Sequence, residues 1–120
     1  PLANRCATAR QLADATWVLR ERGSGTRQIA DEWLLKNLDQ VRVGFELGST
    51  EAIKRVVAAR DGLGCLSRHA VTQSVEDGHL VELQTRLPKA NRKLAIVLHR
   101  EKRLGRATTE FLAHCSAAAP

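Results

Sequence analysis

Gly48, Ser49 and Thr50 form a cluster able to hold an anion, and Gly23, Ser24, Gly25, Thr26 and Arg27 form another. Glycine lets a ligand approach the backbone closely, and hydroxyls donate or accept hydrogen bonds. The Arg27 guanidinium could pair bidentately with a carboxylate, a phosphate or a sulfur oxyanion. Ser67, with Arg68 beside it, is a third place of this kind. Each has a plainer role. Ser24 or Thr26, Ser49 or Thr50, and Ser67 can all cap helices, and Arg27 can be a solvated surface residue. The glycine-rich run is not a Walker loop, because Gly-Lys-Ser/Thr is missing at the required offset, nor is it the dinucleotide fingerprint.

Other chemistry finds no support. His69, His79, His99 and His114 are scattered, and no Ser/His/Asp or paired-carboxylate arrangement follows from spacing, so no catalytic residue is proposed. No Cys/His spacing resembles a metal site, and no cofactor is implied. Cys6, Cys65 and Cys115 are odd in number and far apart, which fits a reducing cytoplasm better than a disulfide framework. Cys65 reads as a small core residue.

Both clusters stand where an apolar strand runs into an amphipathic helix. Trp17 to Glu21 leads to Gly23–Arg27 and a helix to about Leu38, with Ile29, Trp33, Leu34 and Leu38 at helical spacing. Val41 to Leu47 leads to Gly48–Thr50 and a helix to about Arg60, with Ile53, Val56 and Val57 on its buried face and Asp61-Gly62 ending it. Free backbone N–H groups and the helix dipole make such junctions anion-holding devices. In open α/β sheets, ligands sit there, beyond the carboxyl ends of the strands. Further on, the pattern predicts a short strand over Leu63–Leu66, then a helix from Arg68 to Val75. Strands over Leu80–Leu83 and Lys93–His99 should follow, and a last helix from near Gly105. Before all of these, Ala9–Asp14 reads as a short helix. Alternating strands and helices argue for an α/β fold, a mainly parallel sheet flanked by helices.

At 120 residues the chain is one domain at most, with 43% hydrophobic and 27% charged residues, ordinary for a soluble globular chain. No apolar run approaches membrane-spanning length, so no membrane partner is expected. The start lacks an initiator Met and the apolar core of a signal peptide, and is expected to mark a fragment or processed product. The net charge of +6 fits an anionic ligand or nucleic acid. The dense basic stretch from Arg86 to Arg106 lacks interleaved aromatics for stacking bases and reads as a solvated surface.

The runs Trp17–Glu21 with Gly23–Arg27, Glu46–Lys54 and Gly62–Ser67 resemble the effector-binding domain of LysR-type transcriptional regulators. So do Gly78–Val81 and the segment from Arg92 to Arg100 with its helix. The resemblance covers nearly all of the chain in the family's order. It implies a lobe like that of type 2 periplasmic binding proteins. Residues 1–16 would connect from a first lobe, 17–91 form the second lobe, and 92–120 supply the return strand and C-terminal helix. It also implies a small anionic metabolite as effector, as in the regulators of carbon fixation and sulfur assimilation. The family's pocket is lined by residues between strand and helix, which here are Gly48, Ser49 and Thr50. DNA would be bound only through a winged helix-turn-helix outside these residues, in a cytoplasmic dimer or tetramer. Two other classes stand beside it, the first sharing the architecture. A solute-binding lobe of a transport protein predicts export. A small enzyme, such as a prephenate-dehydratase-like or deaminase-like lobe, needs an acid/base pair.

Overall fold

The computed structural model describes residues 6–59, 62–93, 95–101 and 103–117. In chain order the elements are α1 (Ala9–Asp14), β1 (Thr16–Arg20), α2 (Gly25–Asn37), β2 (Arg42–Leu47), α3 (Thr50–Ala58), β3 (Leu63–Gly64), α4 (Arg68–Glu76) and α5 (Arg106–Ala117). Among the described residues the sheet has three strands in the order β2-β1-β3, and β1 runs parallel to both neighbours.

Alternation along β1 explains the layers. Trp17 and Leu19 turn to one face, where Leu12 and Ala13 of α1 and Ala30 and Leu34 of α2 form the main core, with Leu38 just beyond. Val18, fully buried, turns to the other, where Ile53 and Val57 of α3 approach β3. Helices therefore cover both faces of the central strand, the α/β arrangement expected from the pattern. The Trp17 indole donates its N–H to the Leu12 carbonyl at 3.0 Å, so the core tryptophan has a partner for its polar end.

Two glycines permit the close approach of these strands. Gly44 falls at a register shift between β1 and β2, where a Cβ would overlap the Thr16 methyl. Gly62 has φ +145°, and a Cβ there would lie 2.6 Å from the Thr16 carbonyl oxygen. Backbone oxygen cannot swing aside as a side chain can. Gly62→Ala is therefore expected to lower unfolding stability by about 1–2 kcal/mol, measured by chemical denaturation.

Two expected strands do not form among the described residues. Residues 81–84 lack strand pairing, and this segment meets the incoming chain at one bridge, Ala7 with Thr85, where the Ala7 N–H donates to the Gln84 carbonyl at 2.7 Å. Leu83 and Leu87 still pack against the main core, so the apolar pattern there reports docking rather than sheet. In the Lys93–His99 run, Leu94 lies outside the described residues. Ile96, Val97 and Leu98 are 58%, 87% and 47% exposed and extend without a ladder. Alternation makes a strand only beside another strand, and no described strand lies alongside. The radius of gyration, 17.5 Å, exceeds the roughly 14 Å of a compact chain of this length, in keeping with a C-terminal segment that buries none of α5. No described helix is long and apolar enough to cross a membrane.

Candidate functional site

Parallel strands all deliver their carboxyl ends to one edge of the sheet, and the next helices begin there. Ser24 is the N-cap of α2, its Oγ accepting from the Thr26 N–H at 3.2 Å and the Arg27 N–H at 3.5 Å. Ser49 is the N-cap of α3, accepting from the Ala52 N–H at 3.4 Å, and Glu51 lies in the first turn where the dipole favours it. Ser67 holds the N-cap position of α4, but its side chain makes no capping hydrogen bond. Gly23, Ser24, Gly25 and Thr26 thus follow β1, Gly48, Ser49 and Thr50 follow β2, and Ser67 follows β3. Gly23, at φ +91°, makes the turn into α2, and Gly48 faces open space. Arg92 from the C-terminal segment lies over Gly25, where a Cβ would meet its guanidinium at 2.9 Å.

Arg27 departs from the role of a free anion-binding fork. Its side chain is 8% exposed, and its Nε and Nη1 are both engaged. Nε donates to Asp31 Oδ1 at 2.8 Å, and Nη1 donates to the Arg20 carbonyl at 2.8 Å and to Glu46 Oε2 at 2.6 Å. These bonds tie α2 to the ends of β1 and β2. Glu46, then Asp31, hold the guanidinium still more firmly protonated, and Arg27 holds the Glu46 carboxyl below the usual carboxylate range. Arg27 positions the edge of the sheet instead of facing it.

Arg20 is the basic residue that sequence reasoning missed. It ends β1 and donates through Nη1 to Thr50 Oγ1 at 3.2 Å, reaching from the strand to the first turn of α3. Nε and Nη2 grip Glu21 Oε2 and Oε1 at 2.7 and 2.9 Å. The signal was present: alternation puts residue 20 on the face of Val18, and that is the face α3 covers.

This edge is an open surface rather than an enclosed pocket. A concavity of about 200 Å³ lies between α3 and α4, lined by Lys54, Arg55 and His79 among others. One of about 440 Å³ lies where Cys6–Ala9 pass Thr85–Leu87. Neither includes the glycine and hydroxyl clusters. Among the described residues no group of three or more His, Cys, Asp or Glu side chains could hold a metal ion. The Cys65 thiol is partly buried, and burial pushes its pKa up, which disfavours a reactive thiolate.

A parallel sheet with helices on both faces, and helix N-termini gathered at one edge, makes this an α/β lobe, and its likeness to a solved regulatory domain places it in the type 2 periplasmic-binding-protein class. Residues 1–120 match the LysR substrate binding domain, and the chain belongs to that family. It is 44% identical over 118 residues to the HTH-type transcriptional regulator YeiE of Escherichia coli (strain K12), covering 98% of this chain and 40% of that protein. It is 34% identical over 112 residues to the RuBisCO operon transcriptional regulator of Allochromatium vinosum, covering 92% of this chain and 37% of that protein. Among solved structures, the CcmR regulatory domain of Synechocystis PCC6803 in complex with 2-PG matches with a TM-score of 0.77 and 29% identity. That match covers 98% of this chain and 57% of the other. The chain therefore spans well under half the length of these curated relatives.

Proposed function

We propose that this chain is the effector-sensing part of a LysR-type transcriptional regulator and takes a small anionic metabolite at the carboxyl edge of its sheet. The observation that carries the reading is that the α2 and α3 N-termini both open at that edge, with Gly48, Ser49 and Thr50 at the start of α3. Oriented N–H groups and two helix dipoles favour negative charge there. The CcmR domain, of like fold, was solved with 2-PG. Gly23, Ser24, Gly25, Thr26 and Ser67 line the same edge, with Arg27 as a positioning residue.

In this reading residues 1–16 lead in from a first lobe, 17–91 form the second, and 92–120 return to the first. The exposed faces of Ile96 and Val97 suit a strand whose ladder lies in that other lobe. Its surface would close the open side of the site. The whole protein would be a cytoplasmic homo-oligomer that performs no catalysis and binds DNA through a winged helix-turn-helix. Effector binding would close the lobes and shift the oligomer between two arrangements, in proportion to its preference for one of them.

The test is calorimetric titration of the intact protein with 2-PG and related small anions, alongside effector-dependent transcription. A Cβ at Gly48 meets nothing within 4 Å, so Gly48→Trp should fold and block the site. Thr50→Ala should weaken binding by about 10-fold, the worth of one hydrogen bond to a charged group. Unchanged effector response in Gly48→Trp would sink the site assignment.

A further inference from the structure

We infer that Arg20 is the anion-recognising residue of this edge and that the Glu21 carboxylate is its built-in competitor, so that an effector binds by displacing Glu21 from the Arg20 guanidinium. The inference rests on the anion-sensing reading above and adds to it how the site is gated.

The geometry of the pair carries the argument. Arg20 presents Nε and Nη2 to both oxygens of Glu21, at 2.7 and 2.9 Å. That two-pronged arrangement is the one by which a guanidinium takes a free carboxylate or phosphate. The third nitrogen, Nη1, is held by the Thr50 hydroxyl in the first turn of α3. The fork is therefore registered on a helix N-terminus, and two sources of positive potential meet at one point. Glu21 is the acidic group that neutralises them.

The Arg20–Glu21 contact joins neighbours in sequence and ties no two elements together; the tie from β1 to α3 is the separate bond from Arg20 Nη1 to Thr50. The Glu21 backbone is fixed separately, its N–H donating to the Leu47 carbonyl at 3.2 Å. The Glu21 side chain is 43% exposed and the Arg20 side chain 21% exposed, so the carboxylate is the member with the greater access to water. Arg27 makes the contrast clear. Its partners come from β1, α2 and β2, and its side chain is 8% exposed, so it is more covered and more tied to the fold than Arg20.

Arg20 keeps the Glu21 carboxyl below the usual range, so the competitor stays charged at neutral pH. An anion must therefore outcompete an intramolecular carboxylate. Apparent affinity is reduced by the fraction of molecules in which the fork is free. Weak, singly bonded anions are excluded, and the response threshold rises.

The test uses the intact protein and 2-PG as probe, titrated calorimetrically into wild type, Glu21→Gln, Arg20→Gln and the double variant, with inorganic phosphate as a second probe. Glu21→Gln is expected to tighten 2-PG binding by about 10-fold, the release of a competitor that occupies most of the fork. Arg20→Gln is expected to weaken it by at least about 10-fold, and Arg20→Lys, which keeps the charge without the fork, by an intermediate factor. In the Arg20→Gln background the Glu21→Gln gain should vanish, because there is then no fork to free. A gain that persists there would be a general charge effect and would overturn the gate. Wild-type binding of 2-PG that Glu21→Gln leaves unchanged or weakens would overturn the gate and leave the anion-sensing reading standing. No binding of 2-PG or phosphate to any of the proteins would overturn both.

Discussion

Arg27→Met is expected to lower unfolding stability by about 2–3 kcal/mol, short of the 3–5 kcal/mol typical when a fully buried ion pair loses one partner. The discount follows from the partners. Asp31 and Glu46 have side chains 42% and 40% exposed, so water can rehydrate their carboxylates once the guanidinium is gone. The Arg20 carbonyl, which loses the Arg27 Nη1 donor, is the less easily compensated loss. Methionine fills most of the vacated volume, so the loss reports hydrogen bonding more than packing. Arg27→Lys keeps the charge but cannot reach three acceptors at fixed angles, and should lie between Met and wild type.

The same variant has a distinctive acid limb. Arg27 depresses the Glu46 pKa in the folded protein. A carboxyl whose folded pKa lies below its unfolded one binds more protons when unfolded. Its contribution is therefore present above the ordinary carboxylate value, about 4, and is lost as pH falls through the depressed one. Denaturation midpoints measured from neutral pH down through that range should fall more steeply for wild type than for Arg27→Met. Parallel curves would show that the Arg27–Glu46 contact is not formed in solution.

How far these arrangements can be read from sequence depends on what each signal needs. Ser24 and Ser49 are legible as caps because capping is local: a hydroxyl, then two or three N–H groups, all within one turn. The alternation of Trp17, Val18 and Leu19 is legible because both faces of β1 are filled by helices of this same chain. The Lys93–His99 run has an equally good alternation, yet its described residues form no strand, because no described strand lies alongside. Arg27 shows a second limit. One Arg in a glycine and hydroxyl cluster has the same appearance whether it faces a ligand or turns inward. The choice was made by Glu46, nineteen positions away. Arg20 was hidden by its place in an apolar strand, where its neighbours invite a core reading.

Ile53→Ala is expected to cost about 2–4 kcal/mol, within the range for truncating a fully buried isoleucine, and to weaken the proposed anion binding as well. Ile53 is completely buried and one turn into α3, its N–H donating to the Ser49 carbonyl at 3.1 Å. The side chain is the α3 anchor against Val18 and β3. A Cβ on Gly64 would sit 3.4 Å from the Ile53 Cγ2 methyl, so Ile53 packs directly on β3. A void there lets α3 tilt, and tilting moves Ser49 and Thr50 relative to the end of β1. Arg20 Nη1 bridges that gap to Thr50 at 3.2 Å, near the long end of a good hydrogen bond, so a displacement of half an ångström or so would break it. Ile53→Val, which removes one methylene, should cost about 1 kcal/mol and leave the Arg20–Thr50 contact in place. Leu35→Ala, at a position 74% exposed on α2, should change neither quantity by more than about 0.5 kcal/mol. The comparison separates packing from binding. If Ile53→Ala destabilises but leaves the proposed anion binding unchanged, α3 is held at its N-terminus by its caps and by Arg20. If both fall together, the core beneath the helix sets the geometry of the site above it.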